Sequence, residues 1–370
     1  MPALWDLPAP ERAPAEAPNA AGMDRAALRA LVQAFGEPAF RGDQLFEGLY
    51  AKGWRSWDAF TNLPKALRER LAAEVRIHVP RIVQSLPSAD GSTKHGFELE
   101  DGKVVEGVHM PYRNRTTLCL SSQVGCAMAC TFCATGQMGI LRNLTAAEIV
   151  GQVLAMVDHH GWPVGPDGER DPLNLVFMGM GEPLHNLDHL MAAFDLMTDP
   201  KGLDLSPRRI TVSTSGLVSG IERLGRFAKR PRLAVSLNAT TDAYRSQIMP
   251  VNKAWNLEAL ASALAAFPLQ KGERITLEYV LLKGVTDSLE DGRRLADYAR
   301  RFPSKVNLIP FNPHEGSGFE PPDEARIQAL CDLLSRAGLT VSVRRSRGQD
   351  VAGACGQLVR EGRRNSGPSA

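Results

Sequence analysis

The stretch Thr116–Cys133, with the sequence TTLCLSSQVGCAMACTFC, joins a β-rich run to a cysteine-rich loop. The loop carries Cys126, Cys130 and Cys133 in the spacing CxxxCxxC. A [4Fe–4S] cluster normally takes four thiolates, so three on one loop leave one iron open to an exchangeable ligand such as S-adenosylmethionine (SAM). The spacing therefore predicts an iron–sulfur site with one open position.

Two other uses of cysteine fit this pattern less well. Structural zinc favours paired CxxC hooks with a second pair of cysteines or histidines, and no such pair follows the loop. Six cysteines in 370 residues, with no apolar secretory run before them, do not resemble a secreted disulfide scaffold. We expect reduced thiols, a cytoplasmic protein and no membrane association.

The composition is that of an ordinary globular protein. Hydrophobic residues make up 44% of the chain and charged residues 23%, which gives room for one large domain with accessories. The net charge is only +2, so overall charge does not indicate a nucleic-acid partner. Any RNA surface must be a local basic patch.

Changes of pattern along the chain predict five segments. Residues 1–22 are rich in Pro and Ala and predict a flexible leader. Helical periodicity over 23–75 predicts a helical accessory module, and β-rich runs split by turns over 76–115 predict a linker of short hairpins. Residues 116–345 form the main domain, and 346–370 form a C-terminal tail.

The main domain alternates strand and helix patterns. Its first helix has a strong start signal, because Thr145 and Glu148 form a capping box. Six or seven such repeats without a GxGxxG sequence fit a partial β/α barrel better than a doubly wound sheet. The predicted strands are Thr116–Leu120, Leu173–Met178, Arg209–Ser213, Leu233–Leu237, Ile275–Leu281, Val306–Pro310 and Thr340–Val343.

Unusual polar residues follow the predicted strands. The sites of β/α barrels lie at the carboxyl ends of their strands. The cysteine loop, the turn Gly179–Pro183 (GMGEP), Ser213, Ser236 with Asn238, and Asn312 all fall there. We therefore expect these side chains to line one mouth of the barrel.

These motifs together resemble the RlmN family of radical SAM RNA methyltransferases. The resemblance runs from about residue 24 to about residue 358 and includes STSG at 213–216, SLN at 236–238, NLIPFNP at 307–313 and GACGQL at 353–358. It implies an α/β fold, a partial (β/α)6-type radical SAM barrel, with a [4Fe–4S] cluster on Cys126, Cys130 and Cys133. It also implies methylation of adenine carbon 2 in the peptidyl-transferase region of 23S rRNA and in the anticodon loop of tRNA.

The resemblance implies roles for three further residues. Cys355 would first take a methyl group from one SAM, and a second SAM would supply the radical that removes hydrogen from that S-methyl group. The resulting carbon radical adds to the base. Cys119 would then attack the Cys355 sulfur and release the product, leaving a disulfide. Glu106 would take the proton from the adenine carbon, with the Cys119 thiolate as a competing base.

The same resemblance implies a set of SAM contacts. Gly181 and Glu182 would hold the amino group of the methionine part, and Ser213 its ribose or carboxylate. The segment Ser236, Leu237 and Asn238, together with Asn312, would contact the ribose and adenine.

The partners implied are 23S rRNA, tRNA and a reducing electron donor such as flavodoxin, for a monomeric enzyme. The helical module would help to grip RNA. Arg113, Arg115 and Arg142 are the phosphate contacts we favour, because they flank the predicted mouth. Other basic candidates are Arg208, Arg209, Lys229, Arg230 and Arg232.

Three other functions stay open at this point, and the simplest of them is a non-catalytic iron–sulfur protein that binds RNA. A Cfr-like enzyme shares the cysteines and the mechanism but methylates adenine carbon 8. A radical activase, which places a glycyl radical on a partner protein, would have no use for Cys355.

Overall fold

The computed structural model describes residues 17–162 and 171–359. Most of the predicted leader, residues 1–16, lies outside the described residues, as do residues 360–370 of the tail. Residues 17–22 were predicted to be part of a flexible leader, and this was wrong. Asn19 accepts a hydrogen bond from the Ala21 N–H at 3.1 Å, and Ala20 and Ala21 are buried. A single Ala-rich turn is too short to show periodicity in the sequence.

The N-terminal module contains three α-helices, α1 (Arg25–Ala34), α2 (Phe40–Phe46) and α3 (Lys65–Glu74). Asp24 caps α1 by accepting the Ala27 N–H at 2.7 Å. Gly42 lets α1 and α2 touch, because a Cβ at this position would lie 2.4 Å from the Arg29 nitrogen. Leu28 and Val32 of α1 face the apolar interior.

A ten-stranded sheet organises the rest of the described chain. Seven strands are parallel neighbours: β4 (Arg115–Cys119), β7 (Leu173–Phe177), β8 (Ile210–Thr214), β9 (Arg232–Ser236), β10 (Ile275–Leu281), β11 (Ser304–Pro310) and β12 (Val341–Val343). Each overlaps one of the seven predicted strands. The sheet does not close on itself, because β12 is a free edge, so the barrel is partial, as predicted.

The predicted hairpin linker is an extension of this sheet. Strands β1 (Arg81–Pro87), β2 (Thr93–Glu98) and β3 (Val104–Tyr112) form an antiparallel meander, and β3 pairs with β4. The hairpins therefore form, but the segment is not a separate linker. Turn signals reveal hairpins in a sequence, whereas they say nothing about which strand pairs with the last hairpin.

Helices cover the outer face of the parallel strands: α5 (Ala146–His160), α6 (Leu187–Thr198), α7 (Val218–Gly225), α9 (Leu257–Ala266), α10 (Leu289–Ala299) and α11 (Glu324–Arg336). The short helix α8 (Asp242–Ile248) lies instead at the carboxyl ends of β8 and β9, next to the cysteine loop. The capping box predicted at the start of α5 is present. A small hairpin of β5 (Gln123–Gly125) and β6 (Ile140–Asn143) encloses the cysteine loop and the short helix α4 (Ala134–Gln137). Within the described residues, no helix is both long and apolar enough to cross a membrane.

Candidate active site

The three clustered cysteines line one cavity at the carboxyl ends of the parallel strands. The cavity has a volume of about 160 Å³ and is lined by Cys126, Cys130 and Cys133. Gly125 sets the direction of the loop, because its φ is +83° and a Cβ there would lie 2.0 Å from the Gly139 carbonyl oxygen. The hairpin thus delivers all three thiols to the same space.

These thiols suit a cluster better than a single metal ion. Burial raises the pKa of each of the three thiols. They become thiolates most readily when cations share the space, and soft thiolates favour iron–sulfur clusters. Among the described residues, they are not a group placed to hold one ion. Three thiols arranged in this way fit an iron–sulfur cluster, which needs a wider site than a single zinc ion does.

The GMGEP turn forms the next part of the cavity wall. Gly181 has a φ of +105°, and a Cβ there would lie 2.6 Å from that of Gln123. Glu182 is buried, and its carboxylate accepts the N–H of Ser215 at 2.7 Å and of Leu184 at 3.1 Å. Burial raises the pKa of this carboxyl group. A ligand ammonium group would stabilise its charge in this setting.

Ser213 begins a chain of polar contacts that includes two residues missed by the sequence analysis, Glu278 and Arg344. Its hydroxyl donates to Glu278 Oε2 at 2.6 Å, and Glu278 Oε1 lies 3.2 Å from Arg344 Nη1. Glu278 is buried within strand β10 and lines the cavity. The available signal was a single acidic residue in the apolar run ITLEYVL, which an inward-facing functional group explains.

Ser236 and Asn238 line the cavity, whereas Leu237 does not. Asn238 has a φ of +58°, which turns the chain sharply after β9, and its side-chain oxygen accepts the Val280 N–H at 3.0 Å. The Leu237 side chain is fully buried in the apolar core. A contact between Leu237 and SAM would therefore have to use its backbone.

A buried arginine joins the ends of strands β8 and β9. Arg245 is fully buried and donates to the carbonyl oxygens of Ser215 at 2.6 Å and of Leu237 at 3.0 Å. Burial lowers its pKa to about 10. It keeps a positive charge behind the cavity, and sequence analysis missed it because basic residues in helices are usually exposed.

The tail carries Cys355 to the same cavity as the three loop cysteines. Asn312 holds the tail there: its Nδ2 donates to the Cys355 carbonyl oxygen at 3.1 Å, and its Oδ1 accepts from Gln349 Nε2 at 3.0 Å. Both polar atoms of the Asn312 side chain thus contact the tail. A contact of Asn312 with SAM stays a prediction.

Cys119 lies behind the cavity wall, at the end of β4. Its thiol is reduced and buried, and it is not among the residues that line the cavity. The pKa of this thiol is raised to about 12, mainly by burial and secondly by the charge of Cys355. The positive charge of Arg344 acts in the opposite direction and lowers this pKa. Cys119 and Cys355 therefore lie within electrostatic range of each other.

Glu106 is a buried residue of β3, although an isolated glutamate is most often exposed. Its carboxylate lies 3.0 Å from Lys94 Nζ and accepts the Val359 N–H at 2.8 Å. Glu106 therefore contacts the tail, four residues beyond Cys355. It is not one of the residues that line the cavity.

The basic residues predicted to contact RNA lie in three different places. Arg113 and Arg115 are exposed at the amino end of strand β4, so they do not flank the mouth as predicted. Arg208, Arg230 and Arg232 lie together near the amino ends of β8 and β9, opposite the cavity. The predicted role of Arg142 was wrong, because it is only 4% exposed and its guanidinium contacts Glu148 at 2.8 Å and Asp101 at 2.9 Å.

Replacing Arg142 with methionine should lower the free energy of unfolding by about 3 kcal/mol, because it leaves the Glu148 carboxylate buried without its cation. RNA affinity of the folded variant should not change. Urea unfolding and filter binding at matched salt measure the two effects. An Arg113→Met control should show the reverse, and reduced RNA affinity of R142M without loss of stability would contradict this assignment.

Comparison with known protein families gives two matches. Residues 120–296 match the model of the Radical SAM superfamily, and residues 18–77 match that of the ribosomal RNA large subunit methyltransferase N-terminal domain. The partial barrel and the match define the class: the chain is a radical SAM enzyme, with a [4Fe–4S] cluster and SAM as its cofactors. A radical SAM methyltransferase from Sphaerobacter thermophilus superposes with a TM-score of 0.86 at 40% identity, covering 92% of this chain and 99% of that one.

Whole-length relatives narrow this class to one family. Dual-specificity RNA methyltransferase RlmN 2 of Myxococcus xanthus is 46% identical over 99% of this chain and 97% of its own length. RlmN of Anaeromyxobacter sp. is 47% identical over 98% and 95%. The chain belongs to the RlmN family of radical SAM RNA methyltransferases, which confirms the resemblance inferred from the motifs.

Proposed function

We propose that this enzyme methylates carbon 2 of an adenosine in the peptidyl-transferase region of 23S rRNA and of an adenosine in the anticodon loop of tRNA. The observation that carries the proposal is the position of Cys355, which lines the same cavity as Cys126, Cys130 and Cys133. A methyl-accepting thiol is useful only where SAM and the base both reach it. The names of the whole-length relatives support two RNA substrates.

In this proposal the loop cysteines hold the cluster, which supplies the electron that cleaves SAM. Glu182 binds the ammonium group of SAM, and Gly181 allows the backbone to approach it. Ser213 orients its ribose or carboxylate through the Glu278 contact. Ser236, Asn238 and the backbone at Leu237 contact the nucleoside part.

Cys355 accepts the first methyl group as a thiolate, which is the nucleophilic form of a thiol. Arg344, whose guanidinium lies 3.2 Å from the Glu278 carboxylate, is the cation that we propose to support this step. The charge of Cys355 is the largest influence on Arg344 and raises the pKa of its guanidinium. Methyl transfer from SAM to this sulfur forms the S–CH3 bond and releases S-adenosylhomocysteine.

Arg344→Met should therefore slow the methylation of Cys355 by about 10- to 100-fold, which corresponds to 1–3 kcal/mol of lost charge stabilisation. Arg344→Lys should keep more of the rate, because it keeps the positive charge. Quenched-flow measurement of S-adenosylhomocysteine gives these rates. An equal loss in R344K and R344M would indicate a purely structural role.

Release of the product needs a proton acceptor and a second thiol. Glu106 fits the first role better than Cys119, because a thiol with a pKa of about 12 is rarely a thiolate at neutral pH. Release would begin when the radical adduct returns one electron to the oxidised cluster and the adenine carbon loses its proton. The Cys119 thiolate then attacks the Cys355 sulfur, so that the S–S bond forms as the S–C bond breaks, and the methylene carbon keeps the bonding pair and takes up a proton to become the methyl group. A dithiol reductant then restores both thiols.

The remaining parts of the proposal concern partners. The module at residues 18–77 and the exposed Arg113 and Arg115 contact RNA outside the cavity. A low-potential donor such as flavodoxin supplies the electron, and the enzyme works as a monomer in the cytoplasm.

One experiment separates the proposal from its alternatives. Anaerobically reconstituted enzyme is incubated with unmodified rRNA or tRNA and SAM carrying a labelled methyl group, and the digested nucleosides are identified by mass spectrometry. We expect 2-methyladenosine with both S-adenosylhomocysteine and 5′-deoxyadenosine. A product of 8-methyladenosine would mean the Cfr-like function, and 5′-deoxyadenosine without methylated RNA would favour the activase.

A further inference from the structure

Four histidines meet on the sheet face opposite the one that carries Glu106. His95 lies on β2, His109 lies on β3, and His159 and His160 end helix α5. Lys94, next to His95, reaches Glu106 beneath the tail. Because neighbouring residues of a strand point to opposite faces, His95 points away from Glu106 and toward the end of α5. The methyl-transfer chemistry uses none of these side chains.

The ring nitrogens converge closely. One nitrogen each of His95, His159 and His160 lies within 4.8 Å of the other two. His95 Nε2 is 2.7 Å from His160 Nε2. Among the described residues, these three form the only group of His, Cys, Asp or Glu side chains placed to hold one metal ion.

The position of the three rings favours a cation. A neutral imidazole has a ring-nitrogen lone pair to donate to a metal ion. The 15-residue helix α5 ends here, and the negative end of its dipole attracts positive charge.

Two further contacts orient the rings. Ser85 Oγ lies 2.9 Å from Nδ1 of His95, which leaves Nε2 of that ring for a metal. A polar partner on the second nitrogen is the usual way in which a metal-binding histidine is oriented. His109 stacks on His160, with ring centroids 3.8 Å apart and planes 8° apart, so it supports that ring from its face.

We propose that His95, His159 and His160 bind one zinc ion that fastens the end of α5 to strand β2. Zinc–nitrogen bonds of about 2.0–2.1 Å require the two closest nitrogens to separate by a few tenths of an ångström. His159 and His160 are exposed at the helix end and have room to rotate. Water takes the fourth position, because this side of the site is open to solvent.

The test uses the cluster-loaded, full-length enzyme with one equivalent of Zn2+. Zinc retained after gel filtration, the zinc K-edge absorption spectrum and the melting temperature are measured. We expect one tightly held zinc per chain with nitrogen and oxygen neighbours and a raised melting temperature. The double variant His159→Gln/His160→Gln should lose all three effects and keep its iron content, and a His189→Gln control should behave as wild type.

Ser85→Ala provides a second, milder variant. It should weaken zinc binding by about 10- to 100-fold, since it removes the group that orients His95. Sulfur neighbours in the zinc spectrum would mean binding at the cysteine loop and would overturn the proposal. Equal zinc retention by the double variant, or none by wild type, would overturn it as well. None of these outcomes depends on methyl transfer.

Discussion

Replacing Cys355 with alanine should reduce RNA methylation by on the order of 10³-fold or more, because the variant lacks the sulfur that accepts the methyl group. The same variant should form no S-adenosylhomocysteine. It should still convert SAM to 5′-deoxyadenosine under reducing conditions, since Cys126, Cys130 and Cys133 are unchanged. Mass spectrometry of the nucleosides and of both SAM products measures these effects.

A matched control exists for this variant. Cys331 lies on α11, away from the cavity-lining residues, so Cys331→Ala should methylate RNA at the wild-type rate. Iron content must be equal in both variants for the comparison to hold. Methylated RNA formed by C355A at a substantial rate would contradict the role of this thiol and would leave direct transfer from SAM.

Replacing Cys119 with alanine should stop the reaction one step later and trap RNA on the protein. The methylene bridge that joins the Cys355 sulfur to the base forms as in the wild type. No thiol then attacks that sulfur, so the S–C bond is not broken. The expected species is a protein–RNA adduct that survives denaturant and reductant, because it is a thioether. A denaturing gel followed by nuclease digestion and peptide mass spectrometry detects it.

The wild-type release step should also depend on pH. With a Cys119 pKa of about 12, the thiolate fraction rises about tenfold for each pH unit between 7 and 9. Single-turnover release should accelerate accordingly, and adduct formation should not follow the same slope. Free methylated RNA from C119A at the wild-type rate, or release that is independent of pH, would contradict this role.

Much of the fold was predictable because its signals are local. The alternation of apolar runs with amphipathic helices located all seven parallel strands, and the capping box at Thr145 and Glu148 located the start of α5. The polar residues after the strands do meet at one mouth, since parallel strands place their carboxyl ends together.

The parts that were not predictable depend on three-dimensional pairing. Arg142 looked like a surface cation, yet its two carboxylate partners come from a distant turn and from helix α5. Glu278, Arg344 and Arg245 were missed for the same reason, because no short motif contains them with their partners. Asn312 was assigned to the cofactor from its motif, whereas the structure shows both of its polar atoms bound to the tail.

The attachment of the N-terminal module has a consequence for how two kinds of RNA could share one catalyst. The module is tied to the main domain by the antiparallel strands that continue the sheet and by the 2.7 Å ion pair of Arg55 with Asp158. These contacts hold the module in a fixed position relative to the catalytic mouth. In the proposed function, a ribosomal hairpin and an anticodon arm would then need no common sequence, provided that each reaches from the module to the mouth when its target nucleotide turns outward.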